Sequence, residues 1–281
     1  MLKSLQKAFK VKEVRDRLLY TFMMLVVIRI GCCLPIPGVD PSYLHDFFSN
    51  LQNSGMGFFN AITGGSFSSM SIFALSITPY ITSSIIMQLL TIAIPKLEEM
   101  QKDGEDGRKK IAEYTRYLTV GLALFESCAM AVGLGGKGLL LEDHRNIWGY
   151  LTVVAAMTAG SALLMWIGER ITDNGVGNGI SIVLLINIVS GTPQDMMTLY
   201  ERFMAGKSVA VATVACIIVL AIIIAIVVFV LVLNDAERRI PVQYSKKMQG
   251  RRMIGGQSTY IPLKVNTANV IPVIFASSIM S

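Results

Sequence analysis

Charge is what this sequence has least of. Asp, Glu, Lys and Arg make up 16% of its 281 residues, where soluble proteins carry about 25%. Histidine is nearly absent, His45 and His144 being the two examples. Neither belongs to an H-E-x-x-H segment, and no G-x-S-x-G segment occurs. The four cysteines, Cys32, Cys33, Cys128 and Cys216, lack C-x-x-C spacing, so they offer neither a disulfide framework nor a zinc site. They read as packing residues. The stretch GLGGKG at 133–138 has Gly138 where a phosphate-binding loop needs Ser or Thr. These absences leave catalysis with little support. The chain is expected not to be an enzyme and to need no metal or cofactor.

Apolar residues fill the space that charge leaves. They make up 53% of the chain, and mean hydropathy is +0.56. Such a composition excludes intrinsic disorder and argues against a water-soluble globule. The solvent expected for most of this chain is lipid.

Charge-free runs give the organisation. Residues 18–34 are apolar except for Arg29, and 47–95 carry no charge at all. Within the latter, Ser71–Ile94 is long enough to span. Further runs cover 117–134, holding Glu126, then 146–168, 180–190, 208–234 and 265–281. A span needs about 20 apolar residues, and at these lengths the helix is the element that satisfies its own backbone in lipid. The class expected is all-α: a polytopic helical membrane protein with six spans and the start of a seventh. The first run reads as an uncleaved span, because Arg29 interrupts it and no A-x-A site follows. Residues 1–17 read as a basic amphipathic segment along the headgroups, with a disordered basic tail as the alternative.

The fifth run, Ile180–Ser190, is about half the required length and follows Asn174-Gly175-Val176-Gly177-Asn178-Gly179. Either the glycine-rich start completes this helix or the helix is shielded from lipid. Glycine-broken backbone at membrane depth is tolerated against protein or a water-filled cavity, which points to a pore.

Lysine and arginine orient the chain. With the N-terminus cytoplasmic, 20 of the 25 fall in inner segments, four in outer segments, and Arg29 within a span. That asymmetry predicts a cytoplasmic N-terminus. Arg29 and Glu126, the two intramembrane charges, are functional candidates by default. Arg29 can also snorkel, and Glu126 can accept hydrogen bonds from neighbouring helices, so structural roles stay open for both.

Five segments carry a resemblance: LPIPGVD at 34–40, SIFALSITPYITSSIIMQLLTIAIP at 71–95, KDGEDGRKKIAEYTRY at 102–117, GERITDNGVGNGISI at 168–182, and RRIPVQYSKKMQGRRM…QSTYIPLKVNTANVIPVIFASSI at 238–279. Together they resemble the bacterial SecY family, the channel subunit of the protein-secretion translocon. The family has ten spans in two halves related by inverted pseudo-symmetry. This chain is similar to the N-terminal part: residues 18–200 correspond to the first half, and 201–281 to the sixth span, a cytoplasmic loop at 234–268 and the start of the seventh.

The resemblance implies a channel that passes unfolded secretory polypeptides across the bacterial plasma membrane and releases signal peptides and spanning segments sideways into lipid. It implies an apolar pore ring at Ile77, Ile81 and Ile85 on the second span, Ile180 and Leu184 on the fifth, and Ile274 on the seventh. By themselves these isoleucines read equally as lipid-facing. The Ser, Thr and Pro content of the second span, from Ser76 to Gln88, favours protein or water neighbours. Gln88 and Asn178 match a polar pair beside the ring, with plain helix–helix contact as the alternative. Residues 57–71, too short and weakly apolar to span, match the family's plug, which takes in Asn60, Thr63, Gly64, Gly65, Ser66 and Phe67. Weak packing by its Ser, Gly and Thr residues suits a segment that must leave readily. An ordinary outer loop is the alternative.

The loop 234–268 is the densest basic feature, and Arg238, Arg239, Lys246, Lys247, Arg251 and Arg252 match the family's docking site for the ribosome and the SecA motor. Positive-inside bias accounts for part of that charge. SecE and SecG are the expected partner subunits. The competing reading is a secondary transporter, which shares broken helices and inverted repeats but couples through buried charges that are scarce here.

Overall fold

The computed structural model describes residues 11–39, 63–135, 140–141, 145–206, 208–242, 247–249, 252–254 and 259–267. Two compact units divide the chain at Asp195/Met196. Expectations resting on residues 1–10, on Asn60, Lys246, Arg251 and Ile274, and on the start of a seventh span lie outside the described residues.

In the first unit, helix α1 covers Lys12–Cys33. It runs unbroken from the basic segment into the apolar run, so residues 12–17 share one helix with that run. Leu34 to Ile36 then lies alongside Met70 to Ile72, and after a turn at Pro37-Gly38 Val39 bridges to Leu140. Ile36 N–H bonds Met70 O at 3.0 Å, and Ile72 N–H bonds Leu34 O at 3.0 Å. Residues 63–77 follow as consecutive turns.

Helix α2 is Thr78–Ala93, with Pro79 in its first turn, where a missing N–H costs nothing. Pro95 ends it, because the residue before a proline is pushed out of the helical region. Ile94 is indeed extended. Helix α3, Pro95–Lys102, leaves at 102°. The Ser and Thr residues of α2 largely satisfy themselves: Thr82 donates to Thr78 O at 3.1 Å, Ser83 to Pro79 O at 2.7 Å and Thr91 to Gln88 O at 2.7 Å. The polarity of this span therefore demands fewer polar neighbours than its composition implies.

Helix α4 is Glu105–Gly135 and α5 is Ile147–Asn174. At 1.5 Å per residue, the 31 residues of α4 reach roughly 46 Å. That exceeds a hydrocarbon core of about 30 Å, so its charged first turns stand clear of lipid. Ser127 and Thr158 hydroxyls meet at 3.0 Å between the two helices. This pair, beside Glu126, supplies the polar contact expected of Glu126 itself.

Helix α6 is Gly179–Phe203, and it corrects the sequence reading of a half-length run. The helix gains its length at the far end, passing through Gly191 and Pro193. Pro193 forfeits one backbone bond and strains the preceding turn, yet the helix continues.

The second unit holds helix α7, Val209–Asp235. Its Val and Ile residues would favour a strand in water, but lipid leaves the backbone no partner outside the helix. Strands β1 (Glu237–Val242) and β4 (Thr259–Lys264) pair antiparallel, as do β2 (Lys247–Gln249) and β3 (Arg252–Ile254). The chain is mostly helical, as expected, and these short ribbons are its strands among the described residues. ERRIPV and TYIPLK set β-formers among exposed charges, and outside lipid a two-stranded ribbon is permitted.

Among the described residues, α5, α6 and α7 are apolar and long enough to cross a membrane, and α2 with α3 meets the same test as a bent pair. Helices α1 and α4 are also long, with Arg29 and Glu126 inside them.

Candidate functional site

The ends of α2, α5 and α6 meet on a floor of turns. Ile77, the residue that opens α2, is completely enclosed. It lies beside Gly168 of α5: a methyl group at Gly168 would stand 3.5 Å from Ile77 Cδ1, an ordinary contact, and 3.3 Å from Ile180 Cγ1, a tight one. Ile77 and Ile180 thus converge on one glycine from two helices. Ile81, Ile180 and Leu184 are half-buried and pack against the same cluster, whose centre includes Ile28, Leu164, Ile171 and Val183.

Four of the six residues expected in a ring are therefore brought together. Ile85, one turn further along α2, is half-buried and outside that cluster. Ile77 is turned wholly into the interhelical core, while the other three keep exposed surface.

The two polar candidates have different surroundings. Asn178 Oδ1 accepts the Ile180 N–H at 3.1 Å and the Ser181 N–H at 3.4 Å. It caps the start of α6, the ordinary work of an asparagine there. Gln88 is exposed on α2. Two hydroxyls brace the glycine-rich approach: Thr21 Oγ1 of α1 accepts the Val176 N–H at 3.2 Å, and Thr172 Oγ1 accepts the Gly179 N–H at 2.9 Å.

Residues 63–71 form the floor. Thr63 and Ser66 are buried, and Phe67 and Met70 join a second core with Ile36, Leu75, Val153 and Met157. The small residues supply turns, and Phe67 and Met70 supply anchorage. Gly64 has φ +66°, which glycine adopts without a steric penalty. A methyl group there would come within 2.6 Å of Asn187 O and 2.8 Å of Ser190 Oγ on α6. Gly65 is also left-handed but faces open space.

Asn187 is the residue that sequence reasoning missed. It is 1% exposed, and its Nδ2 donates to the buried Ser76 Oγ at 3.0 Å. The available signal was one amide inside ISIVLLINIVS. Arg29 is half-buried, and its Nη1 has no hydrogen-bond partner among the described residues.

The SecY family model matches residues 71–281, which takes in α2, α5, α6, α7 and the ribbons. The chain belongs to the SecY family. The protein translocase subunit SecY of Streptomyces scabiei is 44% identical over 292 aligned residues, covering 100% of this chain and 65% of that protein. The chain therefore spans just under two thirds of the length of that relative. Two solved structures share the fold. One describes the plug domain of the SecY protein, there said to stabilise the closed state of the translocation channel and maintain a membrane seal. It has TM-score 0.54 at 19% identity, covering 94% of this chain and 56% of that one. The other is Sec61 in the canine ribosome-channel complex, with TM-score 0.52 at 21% identity and the same coverages.

As a SecY-family protein, the chain is a membrane protein with a channel-type fold, and its basic ribbon is the remaining candidate surface. Arg238 and Arg239 lie on β1, opposite Leu263 and Pro262 of β4. The Arg239 guanidinium carbon sits 4.7 Å from the centre of the Tyr260 ring, a cation–π distance. Lys247 and Arg252 lie on β2 and β3.

Proposed function

We propose that this chain works in a SecY-type channel that conducts unfolded secretory polypeptides across the bacterial plasma membrane and releases apolar segments sideways into lipid. The observation that carries the reading is the convergence of Ile77, Ile81, Ile180 and Leu184 from two helices above the seated segment 63–71. A narrow apolar constriction dewets and so holds back ions. Flexible aliphatic side chains can also close around a chemically varied substrate. In this reading Ile81, Ile180 and Leu184 line the constriction with Ile85 beyond them, and Ile77 anchors it to α5. Residues 63–71 serve as the plug. Asn178 fixes the start of α6, and Gln88 offers a polar surface on α2.

The orientation that suits the charge distribution places the N-terminus and the basic ribbon in the cytoplasm. There Arg238, Arg239, Lys247 and Arg252 would meet ribosomal RNA phosphates or the SecA motor. SecE and SecG are the proposed partner subunits. The chain does no covalent chemistry in this account; the driving energy comes from its partners.

The test is a photocrosslinker at Ile81 or Leu184 in membranes carrying a stalled secretory chain. Crosslinks to that chain are expected at both positions. Labelling by lipid alone, together with substrate-dependent uptake of a small solute, would overturn the reading in favour of a transporter.

A further inference from the structure

Asn187 touches all three parts of the seat. Its backbone oxygen lies against Gly64 of the floor, its Nδ2 holds Ser76 at the entrance to α2, and it belongs to α6. Ser76 is itself held at φ +53°, a left-handed conformation that strains a serine backbone. The amide is only half satisfied, since Asn187 Oδ1 is buried and has no hydrogen-bond partner among the described residues. A buried acceptor without a partner opposes the state that buries it, because water would satisfy it.

We infer that the Asn187–Ser76 pair is a positioning latch that sets the balance between a seated and a lifted segment 63–71. This inference rests on the plug reading given above. The bond to Ser76 holds the seat together, while the unpartnered oxygen lowers the cost of letting water in. The two ends of one side chain thus pull in opposite directions, keeping the seal closed but releasable.

The opposition makes the test one of sign. Amide exchange would be read at Ser69, Met70 and Ser71, whose N–H groups bond Gly65, Phe67 and Ser66 carbonyls, in the full chain reconstituted in lipid nanodiscs. Ser76→Ala leaves the whole Asn187 amide unpaired, so exchange should rise roughly tenfold, about 1.4 kcal/mol. The double variant Ser76→Ala/Asn187→Leu removes every polar atom of the pair, so exchange should fall below that of the parent chain by a similar factor. Exchange along α4 should not move in either variant, which controls for misfolding.

Equal exchange in all three proteins would overturn the latch, as would equal acceleration in both variants. Ion leak through vesicles carrying the same proteins separates the two ideas. Exchange that changes sign while leak stays constant supports the latch and overturns the plug reading; exchange and leak changing together support both.

Discussion

Arg116 Nε donates a 2.7 Å hydrogen bond to Glu169 Oε1, joining α4 to α5 across 53 positions of sequence. Beyond this clamp, the Ser127–Thr158 hydroxyl pair continues the polar contact between the same two helices. The hydrogen bond to Glu169 pushes the Arg116 guanidinium further above its ordinary value, so the arginine stays charged at any pH the protein survives. Roughly half of the Arg116 side chain is solvent-exposed, which limits the strength of the pair. A double-mutant cycle with Arg116→Gln and Glu169→Gln should give a coupling of about 0.5–1 kcal/mol in detergent unfolding. Additive single effects would show that the two side chains are merely adjacent.

How much of this was legible beforehand differs by element. Runs such as 146–168 and 208–234 located α5 and α7 to within a few residues, because hydrophobic length is the dominant constraint in lipid. The length of α6 was not legible, since Gly191 and Pro193 are breakers in water and neither broke this helix. Nor was the strand pairing of 237–264, where a high density of Arg and Lys masks a β-forming alternation. At the site, spacing alone left the isoleucines reading equally as lipid-facing; the family resemblance grouped them, and Ile81, Ile180 and Leu184 do pack against one cluster. That Ile77 would be fully enclosed depends on the cluster it joins with Ile28, Leu164, Ile167 and Ile171, contacts between distant segments that no local pattern encodes. Asn187 escaped for the same reason, since its partner lies 111 residues away.

Gly64 should tolerate no side chain. Gly64→Ala adds a methyl group against Asn187 O and Ser190 Oγ at a left-handed φ, and the backbone penalty alone is about 1–2 kcal/mol. The floor segment should be displaced from α6, giving faster proteolysis or amide exchange at 66–71 with the helices intact. Gly65→Ala has the same backbone penalty but meets open space, so it should perturb the floor less. Equal effects of the two variants would argue that strain, not the approach of α6, governs this turn.

Glu98 gives a pH signature outside the membrane. Lys102 Nζ donates to its carboxylate at 2.7 Å, one helical turn away, and that hydrogen bond lowers the Glu98 pKa below its ordinary value. A carboxylate whose pKa is lower folded than unfolded supports the fold above the unfolded value, near 4.3. The support fades as pH falls through the lower, folded value. Helix α3 should therefore lose a small part of its support as pH falls below the ordinary carboxylate value, small because the pair is exposed. In Lys102→Ala the Glu98 titration, followed by carboxyl chemical shift, should move back toward the ordinary value. A titration unaffected by that substitution would assign the shift to something other than Lys102.

The basic ribbon should be two-faced. Neighbouring residues of a strand point to opposite sides, so Arg238 and Arg239 cannot address one flat partner equally. Arg239 is placed against Tyr260, which restrains its guanidinium before any partner arrives and reduces the entropy lost on docking. If the partner is ribosomal RNA, Arg239→Glu should weaken binding more than Arg238→Glu. Each lost phosphate contact should also flatten the salt dependence by about one unit of slope. Tyr260→Ala should reproduce part of the Arg239 defect without changing that slope, because it frees the guanidinium but leaves its charge. Binding titrations of the three variants against purified ribosomes at several salt concentrations separate these outcomes. Equal losses for Arg238→Glu and Arg239→Glu with an unaltered slope would show that the ribbon contributes general charge rather than an oriented contact.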